Sequence, residues 1–227
     1  MTGVQTCALP IYLYDAEATY NCFRACSWRQ QILDIYGINR WYLNVDSDEL
    51  FHVDEKIEEY IDSINKDGCK SVKAIMVDVY SKKPIFKNKN ISDMEFVDSN
   101  TYKTEINPFY GLRIYGGPRE RIFGLKSSLQ KVPLLYYTGN ELIVNDHFVF
   151  PKELNFVNIS SVIFHYKFLP NSLSLYKNMA KSGVHWQDSK EYKKYLSAYE
   201  DDAKLSMFSK DSSIRIEDFR LSDILPE

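Results

Sequence analysis

Apolar residues in the first part of the chain recur at spacings that favour a helix and then a strand. From Asp15 to Tyr36 the spacing is helical, and Gly37 offers a stop at the end of this segment. The short aromatic and β-branched run WYLNV, at 41–45, predicts a buried strand. We therefore expect one helix and one strand before residue 46.

A second helix and a second strand are predicted directly afterwards. The helix runs from a cap at Asp54 to a stop at Gly68. Three isoleucines form its apolar face: Ile57, Ile61 and Ile64. The run SVKAIMVDVY, at 71–80, is rich in Val and Ile and predicts a strand. Strand, helix and strand in this order predict a βαβ unit and an α/β sheet.

The remainder of the chain alternates polar segments with apolar runs. Residues 81–110 are rich in Asn and Lys and predict a long loop, of the kind that often forms a lid. Two runs, at 142–150 and 159–169, predict strands, and the tail at 213–227 predicts an edge strand. Between about 170 and 204 the spacing is helical. Four side chains form its stripe: Tyr192, Tyr195, Leu196 and Tyr199.

The first eleven residues, MTGVQTCALPI, differ from the rest of the chain. They resemble translated sequencing-adapter DNA, and they lack the basic start of a signal peptide. We therefore expect residues 1–11 to be foreign and the chain to be a fragment. We divide the remainder into an α/β core at 12–169 and a helical C-terminal part at 170–227.

Composition and charge exclude several classes of protein. A formal net charge of -3 gives no electrostatic reason to bind nucleic acid. No apolar run approaches the roughly 18 residues of a transmembrane helix. The four cysteines form no CxxC pair, and no histidine stands beside them at metal-ligand spacing. Cys22 and Cys26 share a helical face, which is typical of small thiols facing a core in a reducing compartment.

Three acids in four residues follow the first predicted strand, in NRWYLNVDSDELF at 39–51. Because side chains alternate along an extended chain, Asp46 and Asp48 point the same way. Two carboxylates so close repel each other unless a cation or a shared proton lies between them. Ligands of open α/β sheets bind beyond the carboxyl ends of the strands, where this cluster is expected. The acids therefore predict a divalent-metal site with oxygen ligands.

The Asp-x-Asp pattern alone leaves several functions open. A calcium loop of the EF-hand type needs Gly at its sixth position, where Phe51 stands, and is excluded. A dehalogenase-type phosphatase would use Asp46 as nucleophile and Asp48 as acid and base, although Leu50 departs from its usual pattern. A glycosyltransferase would bridge the two acids and a diphosphate through a metal. A solvated acidic turn without any function is the fourth alternative.

The context of the acids resembles that of family 2 glycosyltransferases, in one bacterial branch of that family. Motifs similar to those of this branch occur in the same order over about residues 28–200. They are WYLNVDSDELF, AIMVDVY, GGPRERIF, KVPL, FHYKFL and EYKKY. The resemblance implies a GT-A-like mixed sheet flanked by helices, with a helical C-terminal region. Because the strands that would recognise the nucleotide base should precede Asp15, the first nucleotide-binding strands are expected to be missing.

The resemblance also implies a set of binding residues. Asp46 and Asp48, with Glu49 beside them, would bind Mn²⁺ or Mg²⁺. His165 would complete the metal or diphosphate site, with Lys167 on the same face. A histidine satisfied within the core is the alternative for His165.

The segment GGPRERIF supplies further candidates for the diphosphate. Arg119 and Arg121 would lie on one side of an extended segment and contact the diphosphate with paired donors. A pair of surface salt bridges is an equally plausible role for them. Gly116 and Gly117 would let the backbone turn tightly or approach a ligand.

An inverting transfer needs a carboxylate that takes the proton of the acceptor hydroxyl. Asp146 stands at the position that the resemblance implies, although Asn145 replaces the acid that usually precedes it. Asp78 is the alternative base. Three aromatic side chains could stack on an acceptor sugar or pack in the core: Trp186, Tyr192 and Tyr195.

These expectations together imply an enzyme that moves a sugar from a nucleotide-diphosphate donor to a carbohydrate or lipid-linked acceptor, in polysaccharide biosynthesis. We expect it in the cytoplasm, with the inner face of the membrane as an alternative location. A non-catalytic carbohydrate- or protein-binding remnant of the same fold is a further alternative.

Overall fold

The computed structural model describes residues 21–88, 90–107, 111–169 and 172–224, except for the side chain of Trp186. The α-helices in these ranges are α1 (Cys22–Tyr36), α2 (Ile57–Lys66), α3 (Gly117–Phe123), α4 (Ser172–Ser182) and α5 (Trp186–Asp201). The strands are β1 (Arg40–Leu43), β2 (Glu49–His52), β3 (Ser71–Asp78), β4 (Phe96–Asp98), β5 (Tyr102–Asn107), β6 (Gly111–Gly116), β7 (Gln130–Tyr137), β8 (Leu142–Ile143), β9 (Val149–Phe150), β10 (Ile159–His165) and β11 (Ser213–Arg215). The presence of both helices and strands confirms the α/β class expected from the sequence.

The central sheet has five strands in the order β1-β7-β3-β10-β2. Strands β3 and β10 are parallel, and every other neighbouring pair is antiparallel, so the sheet is mixed. Every residue of β3 is buried, as its run of Val and Ile predicts. Because β3 and β10 run in the same direction, their carboxyl ends meet at one edge of the sheet, where Asp78 lies in register with His165.

The predicted βαβ unit is altered by two strands. Both β1 and β3 are antiparallel to β7, so they run in the same direction with β7 between them. Strand β2 also intervenes before α2, and it pairs with β10. The strand expected at 41–45 is present as β1, but its expected burial was wrong, because β1 has a neighbour on one side only within the described ranges and Leu43 is 49% exposed.

The helix ends show which local signals were reliable. Gly37 ends α1 with φ 91° and donates its N–H to the carbonyl of Leu33, as predicted. The predicted cap at Asp54 was wrong, since Lys56 precedes α2 without a side-chain cap. Cys22 and Cys26 lie four residues apart in α1 and so share a face of it, as predicted, but the expectation that both face the core was wrong, because Cys26 is buried and Cys22 is exposed.

The predicted loop at 81–110 contains the two strands β4 and β5, which pair with later strands of the chain. Strand β5 pairs with β6, and β4 pairs with β11, which confirms the edge strand expected in the C-terminal tail. The tail therefore returns to the region that follows β3. Two short 3₁₀ turns at Ile85–Lys87 and Ile91–Asp93 complete the segment.

The predicted helical region forms α4 and α5, which pack against the α/β core through aromatic side chains. Tyr195 on α5 is fully buried. The centre of its ring lies 4.7 Å from the ring centre of Phe123 on α3 and 5.0 Å from that of Phe168 after β10. Tyr192 is also buried, with its ring 5.3 Å from that of Tyr176 on α4. The tyrosine stripe therefore joins the C-terminal helices to the edge of the sheet where β3 and β10 end.

Candidate functional site

A histidine between two carboxylates lies at the carboxyl ends of the two parallel strands. His165 is the last residue of β10, and its Nδ1 lies 2.7 Å from Oδ1 of Asp78, the last residue of β3. Its other ring nitrogen, Nε2, lies 3.5 Å from Oδ2 of Asp48, in the loop before β2. The structure thus brings together three predicted site residues from separate parts of the sequence, and it ends β10 at His165, inside the strand predicted at 159–169.

The protonation of this cluster follows from its burial and its partners. Burial alone would raise the pKa of Asp78, but the charge of Arg119 and the hydrogen bond with His165 lower it to about 2. Asp78 is therefore an acceptor only, and Nδ1 of His165 must carry the proton between them. Burial opposes a charged imidazole, but the hydrogen bonds with Asp48 and Asp78 raise the pKa of His165.

Arg119 extends the cluster towards the C-terminal helices. Its Nε donates to Oδ2 of Asp78 at 2.7 Å, and its Nη1 donates to Oε1 of Glu191 on α5 at 3.3 Å. The hydroxyl of Tyr195 donates to the same Glu191 oxygen. The third guanidinium nitrogen, Nη2, is buried and has no hydrogen-bond partner within the described part of the chain. A continuous chain of charged groups therefore connects His165 to α5.

Two glycines allow Arg119 to take this position. Gly116 and Gly117 precede it with φ values of 121° and 68°, in the region that favours glycine. A Cβ on Gly116 would lie 2.5 Å from the carbonyl oxygen of Thr101, and one on Gly117 would lie 3.1 Å from the ring of Tyr102. The tight turn expected here is confirmed, and both glycines face protein atoms.

The segment that follows the two glycines is not extended. Arg119 and Arg121 both lie in the helix α3, where residues two apart point in nearly opposite directions. Arg121 donates from Nη2 and Nε to the two oxygens of the fully buried Asp98, at 2.7 and 3.0 Å. It also donates to the carbonyl of Met207 at 2.6 Å. The expectation that both arginines share one side was therefore wrong, and Arg121 holds the C-terminal segment.

A second polar network surrounds Asp46. Arg29 on α1 donates from Nη2 to Asp46 Oδ1 at 2.7 Å and from Nη1 to Asp146. Lys131 on β7 donates to Asp46 Oδ2 at 3.1 Å and to Glu49 Oε2 at 2.6 Å. Burial would raise the pKa of Asp46, but the charges of Lys131 and Arg29 lower it. Each oxygen of Asp46 is therefore bonded to a positively charged side chain.

Lys167 lies between the His165 cluster and the aromatic side chains of α5. Its ammonium is 3.5 Å from the hydroxyl oxygen of Tyr192 and 5.2 Å from the centre of that ring. Burial would lower the pKa of Lys167, but the negative charge of Glu191 raises it. Lys167 is therefore a stable positive charge close to Asp48. Burial would raise the pKa of Asp48, but the hydrogen bond with His165 and the charges of His165 and Lys167 lower it.

The predicted metal ligands can be compared with this geometry. Asp48 and His165 fit a metal ion, because a ligating histidine commonly donates its other ring N–H to a carboxylate, as His165 does to Asp78. Asp46 is held by Arg29 and Lys131 instead. Among the described residues, no group of three or more His, Cys, Asp or Glu side chains is arranged to hold a metal. Two of the three predicted ligands are thus brought together.

The two predicted bases differ in accessibility. Asp78 is 2% exposed, and both its oxygens are bonded, one to His165 and one to Arg119. The side chain of Asp146 is 32% exposed and lies beside Asp46, with Arg29 between them. Asp146 is therefore more accessible to a molecule outside the protein than Asp78.

The aromatic candidates fall into two groups. Tyr195 is fully buried and Tyr192 is 7% exposed, which matches core packing for both, and Lys167 contacts the hydroxyl and the ring of Tyr192. The side chain of Trp186 lies outside the described atoms.

Three residues of the networks had no assigned role in the sequence. Arg29 could have been found from its spacing, since it lies three residues after the buried Cys26 and four before the buried Leu33. Lys131 could have been found as a charge within an apolar strand. Glu191 had no signal beyond its place in EYKKY.

Comparison with known proteins adds no constraint on these networks. No family model, no curated protein and no solved structure matches the chain. None of the helices in the described ranges has the length and apolar character needed to cross a membrane.

Proposed function

We propose that the chain is part of a metal-dependent inverting glycosyltransferase that uses a nucleotide-diphosphate sugar. The observation that carries the proposal is the convergence of the six sequence motifs. Asp48, Asp78, Arg119, His165 and Glu191 come from five of them and form one connected network. Lys131 comes from the sixth motif and forms salt bridges with Asp46 and Glu49, in the acidic loop (residues 46–49) of the first motif. A chance match of separate short motifs would not require their polar side chains to meet.

In this proposal Asp48 and His165 would hold Mn²⁺ or Mg²⁺. The metal, when bound, would stabilise the charge that develops on the departing diphosphate. Asp78 orients the imidazole of His165 and keeps its proton on Nδ1, so that Nε2 faces Asp48. Arg119 holds Asp78 from the other side. The chain's own residues thus fix the ligand atoms before any substrate arrives.

The other roles follow from charge and accessibility. Lys167 would attract the diphosphate. Arg119 would add positive charge from its buried position beside Asp78. Arg121 is left out of this role, because it is bonded to Asp98. Asp146, the more exposed acid, would take the acceptor proton once Arg29 shifts towards Asp46.

The wider expectations belong to the same proposal. The donor would be a nucleotide sugar, and the acceptor a carbohydrate or a lipid-linked glycan built in polysaccharide biosynthesis. The reaction would take place in the cytoplasm or at the inner face of the membrane. The GT-A-like architecture, with further nucleotide-binding strands before β1, is proposed with it.

Cation binding tests the proposal directly. Mn²⁺ binding to the purified chain is measured by electron paramagnetic resonance, with and without uridine or guanosine diphosphate. We expect Asp48→Asn and His165→Ala to weaken Mn²⁺ binding at least about ten-fold, which is about 1.4 kcal/mol. Asp62→Asn, an exposed acid on α2, is the control. Unchanged Mn²⁺ binding in Asp48→Asn, or full sugar transfer by this variant, would overturn the proposal.

A dehalogenase-type phosphatase is the second candidate, favoured by one contact. Such an enzyme needs a lysine beside its nucleophilic aspartate, and Nζ of Lys131 lies 3.1 Å from Asp46 Oδ2. Against it, Arg29 bonds the other oxygen of Asp46, and Asn145 precedes Asp146 where an acidic pair is needed. Hydrolysis of p-nitrophenyl phosphate that disappears in Asp46→Asn would support the phosphatase, and its absence in the parent chain would exclude it.

A further inference from the structure

The ammonium of Lys131 is buried inside the acidic loop. Its side chain is 1% exposed, and the side chain of Glu49 that it bonds is 3% exposed. The same oxygen of Glu49 also accepts the backbone N–H of Asp46 at 2.9 Å. Because a charge that leaves water must be paired, the buried ammonium and the folded loop depend on each other.

This arrangement performs a task that a metal ion performs in other acidic loops. Asp46 and Glu49 lie in one turn, and their charges would repel each other without a positive charge between them. Lys131 supplies that charge from β7, the strand next to β1. Arg29 neutralises the remaining oxygen of Asp46 from α1. The loop is therefore balanced by side chains of the protein itself.

We propose that Lys131 is a positioning residue that takes the place of a metal ion at Asp46 and Glu49, so that the acidic loop is folded before any metal binds. The divalent cation is then left to Asp48 and His165. The inference builds on the proposed metal site, but it rests on the charge balance of the loop and not on sugar transfer.

The test replaces the ammonium with a neutral side chain of similar length, Lys131→Met. Asp46 and Glu49 then lack their shared counter-ion, and a divalent cation can take its place. We expect Lys131→Met to bind Mn²⁺ at least about ten-fold more tightly than the parent chain, or to bind one additional ion. Electron paramagnetic resonance measures both quantities. A lysine with only a structural role would leave Mn²⁺ binding unchanged or weaken it.

Two matched variants control for the loss of a buried lysine. Lys73 on β3 is 5% exposed, and within the described ranges it forms no salt bridge. Lys73→Met makes the same chemical change in the same sheet and should leave Mn²⁺ binding unchanged. Lys131→Arg keeps the positive charge and should resemble the parent chain.

A double variant separates this inference from the proposed metal site. Asp48→Asn combined with Lys131→Met should recover Mn²⁺ binding that Asp48→Asn alone has lost. If the proposed metal site is wrong, Asp48→Asn alone changes nothing, while the gain from Lys131→Met remains. If the inference about Lys131 is wrong, the gain is absent in both backgrounds.

Folding provides the readout if Lys131→Met does not fold without metal. Circular dichroism should then show that added Mn²⁺ folds this variant and gives no such rescue to Lys73→Met. Equal Mn²⁺ binding in the parent chain, Lys131→Met and Lys73→Met would overturn the proposal. Failure of Lys131→Met to fold even with Mn²⁺ would overturn it as well.

Discussion

The buried pair of Asp78 and Arg119 makes a quantitative prediction about stability. Asp78→Asn keeps the shape of the side chain and removes its charge, so that Arg119 stays buried with Glu191 as its remaining carboxylate partner, at 3.3 Å. The pKa of Asp78 falls from the ordinary 3.8 to about 2 in the folded protein. At about 1.4 kcal/mol for each pKa unit, this difference corresponds to roughly 2–3 kcal/mol of folding free energy.

The loss should exceed this value slightly, because breaking a buried ion pair by removing one partner typically costs about 3–5 kcal/mol. We therefore expect Asp78→Asn to lower the free energy of unfolding by about 3–4 kcal/mol in urea at neutral pH. Asp62→Asn, at an exposed position, should change it by less than about 0.5 kcal/mol. A loss below about 1 kcal/mol in Asp78→Asn would refute the interpretation of this pair as a buried, charged contact.

The contribution of Asp78 to the free energy of unfolding depends on pH, and its pKa shift fixes the sign of this dependence. The folded-state pKa of Asp78 lies below its unfolded-state value, so its contribution is complete above about pH 4 and is lost as the pH falls towards 2. The difference in unfolding free energy between the parent chain and Asp78→Asn should shrink over this window. A difference that stays constant from pH 5 to about pH 2 would contradict the assignment.

Further variants separate the roles of neighbouring residues. Arg121→Met should lower stability by about 2–4 kcal/mol, because it leaves the buried Asp98 without its bidentate partner, and it should speed proteolysis of the C-terminal tail while Mn²⁺ binding is unchanged. Gly116→Ala should lower the melting temperature more than Gly117→Ala, since its Cβ would meet a backbone carbonyl at 2.5 Å and not the edge of a ring at 3.1 Å. Asp146→Asn should lower kcat for sugar transfer about 100-fold or more without weakening Mn²⁺ binding, and a kcat within about ten-fold of the parent chain would contradict the choice of Asp146 as base.

Local pattern predicted those elements whose residues are uniformly buried or strongly periodic. Strand β3 is rich in apolar residues, with Lys73 within it and Asp78 at its end, and all its positions are buried. The position of β1 could not be predicted in the same way. Its run of aromatic residues fits an edge strand as well as a central one, because the order of strands depends on pairing with β7, about 90 residues later.

The site was predictable where its residues stand at strand ends. Asp48 and Asp78 were placed there from the sequence, whereas His165 was expected within the predicted strand at 159–169. The structure ends β10 at His165 and brings the three residues into contact. Their roles in metal binding and catalysis stay predictions. The directions of the Arg119 and Arg121 side chains were not predictable from GGPRERIF. Residues two apart point to the same side of an extended segment, but they point to nearly opposite sides of the helix that this segment forms.

The link between Arg119 and Glu191 has a consequence for how this protein can be divided. The sequence suggested a boundary near residue 169, as if the C-terminal helices were an accessory part. A chain shortened there would lose the carboxylate of Glu191 and the ring of Tyr195, both of which contact α3. Among the described residues, Asp78 would then be the one remaining partner of the Arg119 guanidinium. Helix α5 is therefore not an exchangeable module: a transplanted C-terminal region would have to bring its own acid to this position.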